Sequence, residues 1–373
     1  MRILFLCKRR YMGKDLLSDR YGRFFELPET LAQRGHSILG LTVAYFGARK
    51  DPLHELTTPA GVRWRSTDLW PRPARGLRDY HRYVADAIDD FRPEVIVGAS
   101  DAFHVIFATH LGRRHRIPVV ADLYDHFEAY AATRAPGVRT LLRRALKAAD
   151  RVTCVSRALE LYCSNLRGSD AGVHRIPNGV ASELFHPLDA SACRQQLGLP
   201  PQAALIGTAG ALMANRDIGT LYRAFESLAR ELADVGLVIA GRRDIDPPRD
   251  RRVFDLGELP HAQVPILFGA LDAGVVCNTD SLFARYCDPQ KLAEMRACGL
   301  PVVVADTFAD TMQAETDALW LYQPGNPADL STQMRSALAG RRRLPPPAGS
   351  SWAERAVQLE SVLQQALEHH RRR

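Results

Sequence analysis

No stretch of this chain stays apolar for the roughly 18–20 residues that a bilayer-spanning helix requires. The opening run Met1-Arg-Ile-Leu-Phe-Leu-Cys7 breaks at once into Lys8-Arg9-Arg10. A secretory leader places its charges before the apolar run and a small-residue cleavage site after it, so the segment reads as a first β-strand. Cysteine is sparse and unordered: seven residues, an odd number, with no C-x-x-C pair. Cys7, Cys154 and Cys277 sit in apolar, strand-like runs where thiols act as small hydrophobes, and the set suits a reducing cytoplasm. Lysine is nearly absent. Of 49 basic residues only Lys8, Lys14, Lys50, Lys147 and Lys291 are lysines, and the net charge is +7. A nucleic-acid binder concentrates its charge on one motif-bearing element with interleaved aromatics; none stands out here, so nucleic acid is not expected as a partner. Anionic small molecules and membrane surfaces remain compatible with the charge.

The 373 residues exceed one hydrophobic core, so two domains are expected. With 46% hydrophobic and 24% charged residues, the composition is that of an ordered globular chain. Short apolar strands alternate with helical patterns, the mark of a parallel α/β architecture. In the first half the strands are expected at Ile3–Cys7, Ile38–Val43, Val95–Gly98, Pro118–Ala121 and Val152–Val155. A helix ends near Arg34 with Gly35 as its stop, and Pro28 must kink that helix or open a new one. Leu77, Tyr80, Val84, Ile88 and Phe91 recur at helical spacing on one face. The pattern then restarts, with strands at Ala204–Thr208, Leu237–Ala240, Ala273–Cys277 and Pro301–Ala305. Leu221, Phe225, Leu228 and Leu232 form the core face of a helix between the first two. The Pro-, Gly- and polar-rich stretch from about Phe185 to Pro201 reads as a linker. Domains are therefore expected at 1–186 and 187–350, with a last helix in 351–373 that can pack back on the first domain. Ligands of open parallel sheets bind beyond the carboxyl ends of the strands, and two such lobes offer a cleft.

Two segments carry chemistry. In Asp288-Pro-Gln-Lys291-Leu-Ala-Glu294 a helix opens near Pro289, and its free N–H groups and positive dipole end suit a diphosphate. Lys291 adds a point charge in the first turn, and Glu294, one turn on, can accept bonds from ribose hydroxyls. A solvated Lys291–Glu294 helix pair accounts for the same spacing. In Gly207-Thr-Ala-Gly210-Ala-Leu-Met-Ala-Asn-Arg216-Asp217, glycines let the backbone approach a ligand and Arg216 can fork onto phosphate oxygens. A tight turn with a surface arginine is the plainer reading. Asp244-Ile-Asp246 matches a metal-holding D-x-D, but its neighbours Gly241-Arg-Arg and Pro247-Pro248 favour a solvated loop. His110, His115, His369 and His370 lack the setting of a metal site. Arg134, Arg139, Arg143, Arg144 and Lys147 flank Leu141, Leu142 and Leu146 on one helix. That helix either lies on an anionic membrane or packs its leucines inward.

Together these segments resemble the family 4 retaining glycosyltransferases of the GT-B fold (glycosyl transferases group 1). The resemblance runs through Leu31–His36, Asp122-Leu-Tyr-Asp-His126, Ala149–Ser156, Arg175–Val180, Gly210–Leu221, Asp255–Pro260, Leu271–Val276 and Asp288–Ala305, in order over nearly the whole chain. It implies an α/β fold of two Rossmann-like, doubly wound parallel-sheet domains with an interdomain cleft, and a nucleotide-sugar donor, UDP- or GDP-linked, held by the second. It implies donor contacts from Gly210, Arg216, Asp288, Pro289, Gln290, Lys291 and Glu294, with Arg216 at the position of the family's diphosphate-binding lysine and Glu294 as the second glutamate of its Glu-x7-Glu signature. On the acceptor side it implies Lys8, Gly13, Asp125 and His126, the last beside the reacting sugar; Gly22 is an alternative to Gly13, and Lys8, Arg9, Arg10 and Lys14 bring positive charge. The chain departs from the family at Tyr286, where the first signature glutamate belongs, at Ala211, where arginine is frequent, and in lacking a double glycine after the first strand. The expected enzyme is a metal-independent, cofactor-free retaining transferase. It acts in the cytoplasm, with or without peripheral membrane contact, on a glycan, lipid-linked or small-molecule acceptor. Other GT-B chemistry, such as a sugar-nucleotide epimerase or a phosphorylase, and a non-catalytic sugar-nucleotide-binding partner of a synthase are the alternatives.

Overall fold

A strand buried on both faces has no polar side to show, and the chain's near-continuous apolar runs take that place at the middle of two parallel sheets. The computed structural model describes residues 1–11, 13–46, 54–307, 319–340 and 343–372, which divide into two compact units. The first holds Met1–Asn178, Tyr286–Asp288 and Trp352–Arg373; the second holds Gly179–Arg285 and Pro289–Ser351.

In the first unit an eight-stranded sheet runs, edge to edge, Val173–Arg175, Arg151–Cys154, Val119–Leu123, Val95–Ala99, Arg2–Lys8, Ser37–Ala44, Arg63–Asp68 and Glu55–Thr57. All pairings are parallel except the last, Glu55–Thr57 against Arg63–Asp68. Ile3 to Cys7 are buried throughout, as is all of Val95–Ala99 and Val119–Leu123. Two helices start at short polar caps: Asp101 accepts from His104 N–H at 3.0 Å and Ser156 from Leu159 N–H at 3.2 Å. The helix Arg23–Gln33 runs through Pro28 rather than restarting there. The helix Pro73–Asp86 continues into a π-helical turn at Ala87–Phe91. Its core face is Tyr80, Val84 and Phe91; Leu77, expected on that face, is 57% exposed. The final helix, Trp352–Arg371, belongs to this unit and packs on Arg23–Gln33, where Glu360 accepts from Arg34 Nε and meets His36 Nε2, both at 2.8 Å.

The deepest polar contact of this unit is a fork. Arg23 donates from Nε and Nη2 to the two oxygens of Asp122 at 2.9 and 2.7 Å, with both side chains essentially inaccessible. Its Nη1 donates to the Ile176 and Pro177 carbonyls, and Thr153 Oγ1 donates to Asp122 at 2.6 Å.

The second unit carries a six-stranded, all-parallel sheet in the order Val253–Asp255, Val235–Ala240, Ala204–Ala209, Ala273–Val276, Val302–Ala305 and Leu319–Tyr322. The helix Ile218–Glu231 buries Leu221, Phe225 and Leu228, while Leu232 is its half-buried C-cap. The stretch expected as a linker is not one: Ala190–Leu197 is a helix, capped by Asp189, which accepts from Ala192 N–H at 2.7 Å, and stopped by Gly198. It is fixed by Arg194, which donates to the Ala270 and Pro201 carbonyls and to Asp272. The boundary between the units lies upstream of the position that composition suggested, between Asn178 and Gly179.

Cutting one partner out of the Arg23–Asp122 fork strands a charge in the core, and Asp122→Ala should lower unfolding stability by about 3–5 kcal/mol. Urea unfolding measures it; a loss below about 1 kcal/mol would mean the pair is not what holds this core.

Candidate active site

The residues of the second unit expected on the donor side collect at the carboxyl ends of its strands. Gly210 follows Ala204–Ala209 with φ +102°, and Gly241 follows Val235–Ala240 with φ +137°. A side chain at Gly241 would place Cβ 1.8 Å from the Gly210 carbonyl oxygen, so the two loops touch backbone to backbone. Gly210 in turn lies beside Lys291, whose Cε and Nζ would be 3.5 and 3.8 Å from a Cβ there. Lys291 donates to Thr208 Oγ1 at 3.2 Å. Burial, reinforced by the nearby Arg216 charge, pushes its ammonium down to about 8; Cys277 and Glu294 act in the other direction.

Arg216 closes a 3-10 turn, Ala214–Arg216, ahead of the helix Ile218–Glu231 rather than opening that helix. Its guanidinium lies 4.3 Å from the centre of the Phe283 ring and makes no ion pair among the described residues. Stacking holds the guanidinium plane without consuming its N–H edge, which a carboxylate would both occupy and neutralise. Phe283 was not singled out from the sequence. The signal was available in Arg216 itself, since a planar cation in a lysine's position calls for a planar partner. Glu294, buried on the helix Gln290–Ala297, meets His261 Nε2 at 3.4 Å. Pro289 is the N-cap of that helix, and Gln290 turns away to donate to the Gly179 carbonyl at 2.8 Å. Two cations therefore converge beside a glycine loop and a helix start whose first N–H groups have no intrahelical acceptor.

Asp288 is placed elsewhere. It groups with the first unit, where its Oδ2 accepts from Asn178 N–H at 2.6 Å and its carbonyl from Asn178 Nδ2 at 2.9 Å. Tyr286 is in the same unit, its carbonyl bonded by Ser156 Oγ at 2.7 Å and its ring stacked on His126 at 4.4 Å.

On the first unit, Lys8, Asp125 and His126 gather at the carboxyl ends of their strands. Lys8 Nζ donates to Tyr124 Oη at 2.9 Å and lies over the Tyr124 and Tyr130 rings. The two tyrosine hydroxyls are 2.8 Å apart, and Tyr130 Oη donates to Asp125 at 2.7 Å. Asp125 Oδ1 accepts the His126 N–H at 2.8 Å, so this chain of bonds aims the loop that carries His126. Burial lowers the basicity of Lys8 and of His126; around His126, Glu128 opposes the effect and Arg139 and Arg143 add to it. Gly13 is apart from this group, at the tip of the hairpin Arg10–Tyr11/Lys14–Asp15, and Gly22 caps the helix Arg23–Gln33. Arg9, expected to bring positive charge to the acceptor side, is instead buried and paired with Asp15 at 2.9 Å; Arg10 and Lys14 are exposed.

The other motifs resolve locally. Asp244 Oδ1 accepts from Ala214 N–H at 2.8 Å, and Asp246 is fully exposed. Among the described residues no three His, Cys, Asp or Glu side chains are grouped as a metal site, and no helix is long and apolar enough to cross a membrane. In the helix Val138–Ala148, Leu142 and Leu146 point inward and Leu141 is exposed; Arg139 and Arg143 bond Glu128.

Residues 23–179 match the model of the glycosyl transferase 4-like domain, and residues 203–340 match that of glycosyl transferases group 1. Over 198 residues the chain is 29% identical to a GDP-mannose-dependent alpha-(1-6)-phosphatidylinositol monomannoside mannosyltransferase of Mycolicibacterium smegmatis, covering 50% of this chain and 51% of that protein. Over 229 residues it is 27% identical to D-inositol 3-phosphate glycosyltransferase 1 of Catenulispora acidiphila, covering 54% and 53%. The chain spans about half the length of these curated relatives. Sucrose-phosphate synthase from Thermosynechococcus elongatus is similar in fold with a TM-score of 0.72 at 19% identity, over 100% of this chain and 98% of that one. HepE of Anabaena in complex with UDP gives 0.67 at 20% over the same shares. These likenesses show two parallel-sheet α/β domains of the GT-B fold.

Desolvation of Lys291 has a thermal signature. Below about pH 8 the folded state carries the buried ammonium; between 8 and the ordinary 10.5 the unfolded chain binds more protons, so this group's contribution to stability rises with pH. Lys291→Met should therefore raise Tm at pH 7 and flatten the climb above pH 8 in scanning calorimetry. A lower Tm at pH 7 would show that the ammonium is stabilised in place.

Proposed function

The chain belongs to the group 1 glycosyltransferases, and from that premise we propose a retaining, metal-independent enzyme that transfers a sugar from a UDP- or GDP-linked donor. The observation that carries this reading is the convergence of Arg216 and Lys291, neither ion-paired among the described residues, beside Gly210 and ahead of buried Glu294. Expelling a nucleoside diphosphate develops negative charge on its phosphates, and fixed cations and N–H groups at that place lower the barrier. In this reading Arg216 forks onto the diphosphate, Lys291 supplies a second positive charge, and Glu294 holds the ribose. Nucleotide chemistry of this kind is named for the relatives, as GDP-mannose for the mycolicibacterial enzyme and UDP for the HepE complex.

Lys8, Asp125 and His126 would bind the acceptor, a glycan, a lipid-linked sugar or a small polyol. Attack from the donor's own face, with a phosphate oxygen taking the acceptor proton, requires no enzyme nucleophile and no metal or other cofactor. We place the enzyme in the cytoplasm, which suits its seven free thiols, and leave the exposed basic face of the helix Val138–Ala148 as a route to peripheral contact with an anionic membrane.

Loss of the ribose anchor in Glu294→Ala should lower kcat/KM for the donor about 10- to 100-fold while circular dichroism stays unchanged. Unchanged kinetics would remove Glu294 from the site, and the same assay with EDTA and with NMR of the product anomer tests the metal and stereochemical parts. Phe283 should act through Arg216: Phe283→Leu raises the donor KM about three- to tenfold with little change in kcat, and Phe283→Tyr restores it. Equal KM values for the leucine and tyrosine variants would leave the ring no positioning role.

A further inference from the structure

At the opposite end of the second sheet from Gly210 and Lys291 the surface opens into a pocket of about 560 Å³. Its walls are the last turn of the helix Ile218–Glu231 and the Arg249–Arg252 segment, which precede the strands Val235–Ala240 and Val253–Asp255. Both strands run parallel to Ala204–Ala209, so the pocket lies at their amino ends, about 20 Å of extended strand from the loops that follow them.

Its charges do not balance. Asp250 is consumed by Arg252, which grips both carboxylate oxygens at 2.8 and 3.0 Å and donates to the Ala229 and Leu232 carbonyls at the helix end. Glu231 is consumed by Arg335. The last-turn carbonyls, which would repel an anion, are thus covered by a fixed guanidinium. Arg230, Arg249 and Arg251 are exposed around the same concavity and make no hydrogen bond among the described residues. Ala229 and Ala233 line the pocket between them and leave it room.

We infer that this pocket is a second anion site, separate from the donor loops, for a small molecule bearing two or more phosphate groups. Three uncommitted planar forks match several phosphate oxygens at once, whereas a single carboxylate or inorganic phosphate engages one or two. Arg252, held by Asp250 and two carbonyls, supplies the fixed floor beside the three exposed guanidinium groups.

The test is calorimetric titration of the full chain with inorganic tripolyphosphate at 0.15 M salt, in a background of Arg216→Ala and Lys291→Met that disables the donor loops. Binding should persist there, and adding Arg249→Ser with Arg251→Ser should weaken it at least about tenfold, roughly one charge-assisted bond per fork. Arg249→Ser/Arg251→Ser on the otherwise unaltered chain should keep its transfer rate, which shows that the variant folds; Arg230→Ser provides an independent second variant. Undiminished binding in the arginine variants would overturn the site. So would binding seen only at low salt, where diffuse surface charge suffices, or binding abolished by the donor-loop substitutions alone.

Discussion

The buried fork of Arg23 and Asp122 is the constraint from which the first unit is built. Asp122 is the next-to-last residue of the strand Val119–Leu123, and Tyr124, Asp125 and His126 follow that strand directly. Fixing the carboxylate fixes the exit direction of that loop. The free end of the same guanidinium takes the Ile176 and Pro177 carbonyls, one residue before Asn178, whose backbone N–H bonds Asp288. One side chain on the first turn of a helix therefore sets both the loop bearing His126 and the place where Tyr286–Asp288 is held. Lysine could satisfy the charge of Asp122 but not four acceptors in one plane.

That logic recurs and gives the arginine-rich composition a physical use. Arg194 ties a helix to the Ala270 and Pro201 carbonyls and to Asp272, and Arg343 donates to the Phe268, Gly269, Leu271 and Cys298 carbonyls. Arg252 does the same at the end of Ile218–Glu231. Each satisfies main-chain oxygens that irregular segments would otherwise leave bare. Against this background the cations without an acid or a carbonyl are the informative ones. Arg216 is held by a ring, and Lys291 by one hydroxyl at 3.2 Å.

The sequence made the middle of each sheet legible and its margins not. Strands such as Ile3–Cys7 and Val95–Gly98 are apolar on both faces, and the period-2 or continuous pattern finds them within a residue or two. Arg63–Asp68, Glu55–Thr57 and Val253–Asp255 lie at or next to a sheet edge, are only partly buried and carry a mixed composition, while Leu319–Tyr322 is apolar but only four residues long at the other edge. The helix Ala190–Leu197 announced itself through Asp189 and Gly198, yet the surrounding prolines masked it. Among the candidate site residues, Gly210, Arg216, Lys291 and Glu294 stand out in the sequence because each chemistry needs a particular residue type after a particular strand, and the structure places all four at the carboxyl ends of the second sheet. Asp288 and Gln290 were misplaced because their side chains serve backbone groups far away in sequence, at Asn178 and Gly179, which spacing cannot reveal.

Tyr286 shows what such a long-range contact does to chemistry. A carboxylate at that position, beside the His126 ring, would favour the imidazolium and raise its basicity. The tyrosine offers a ring stacked at 4.4 Å instead, and Tyr162 meets His126 edge-on at 4.7 Å. Glu128 is the acid near enough to oppose this. Burial alone would raise its pKa, but the Arg143 guanidinium and the Tyr162 hydroxyl hold its carboxyl below the usual range, so much of its charge is already spent on those partners. Burial, joined by the Arg139 and Arg143 charges and opposed by Glu128, lowers the basicity of His126 and favours its neutral imidazole. A neutral ring both donates and accepts one hydrogen bond, whereas the imidazolium only donates. Tyr286 thus meets the ring of a residue 160 positions earlier in the chain through a stacked face rather than a charge.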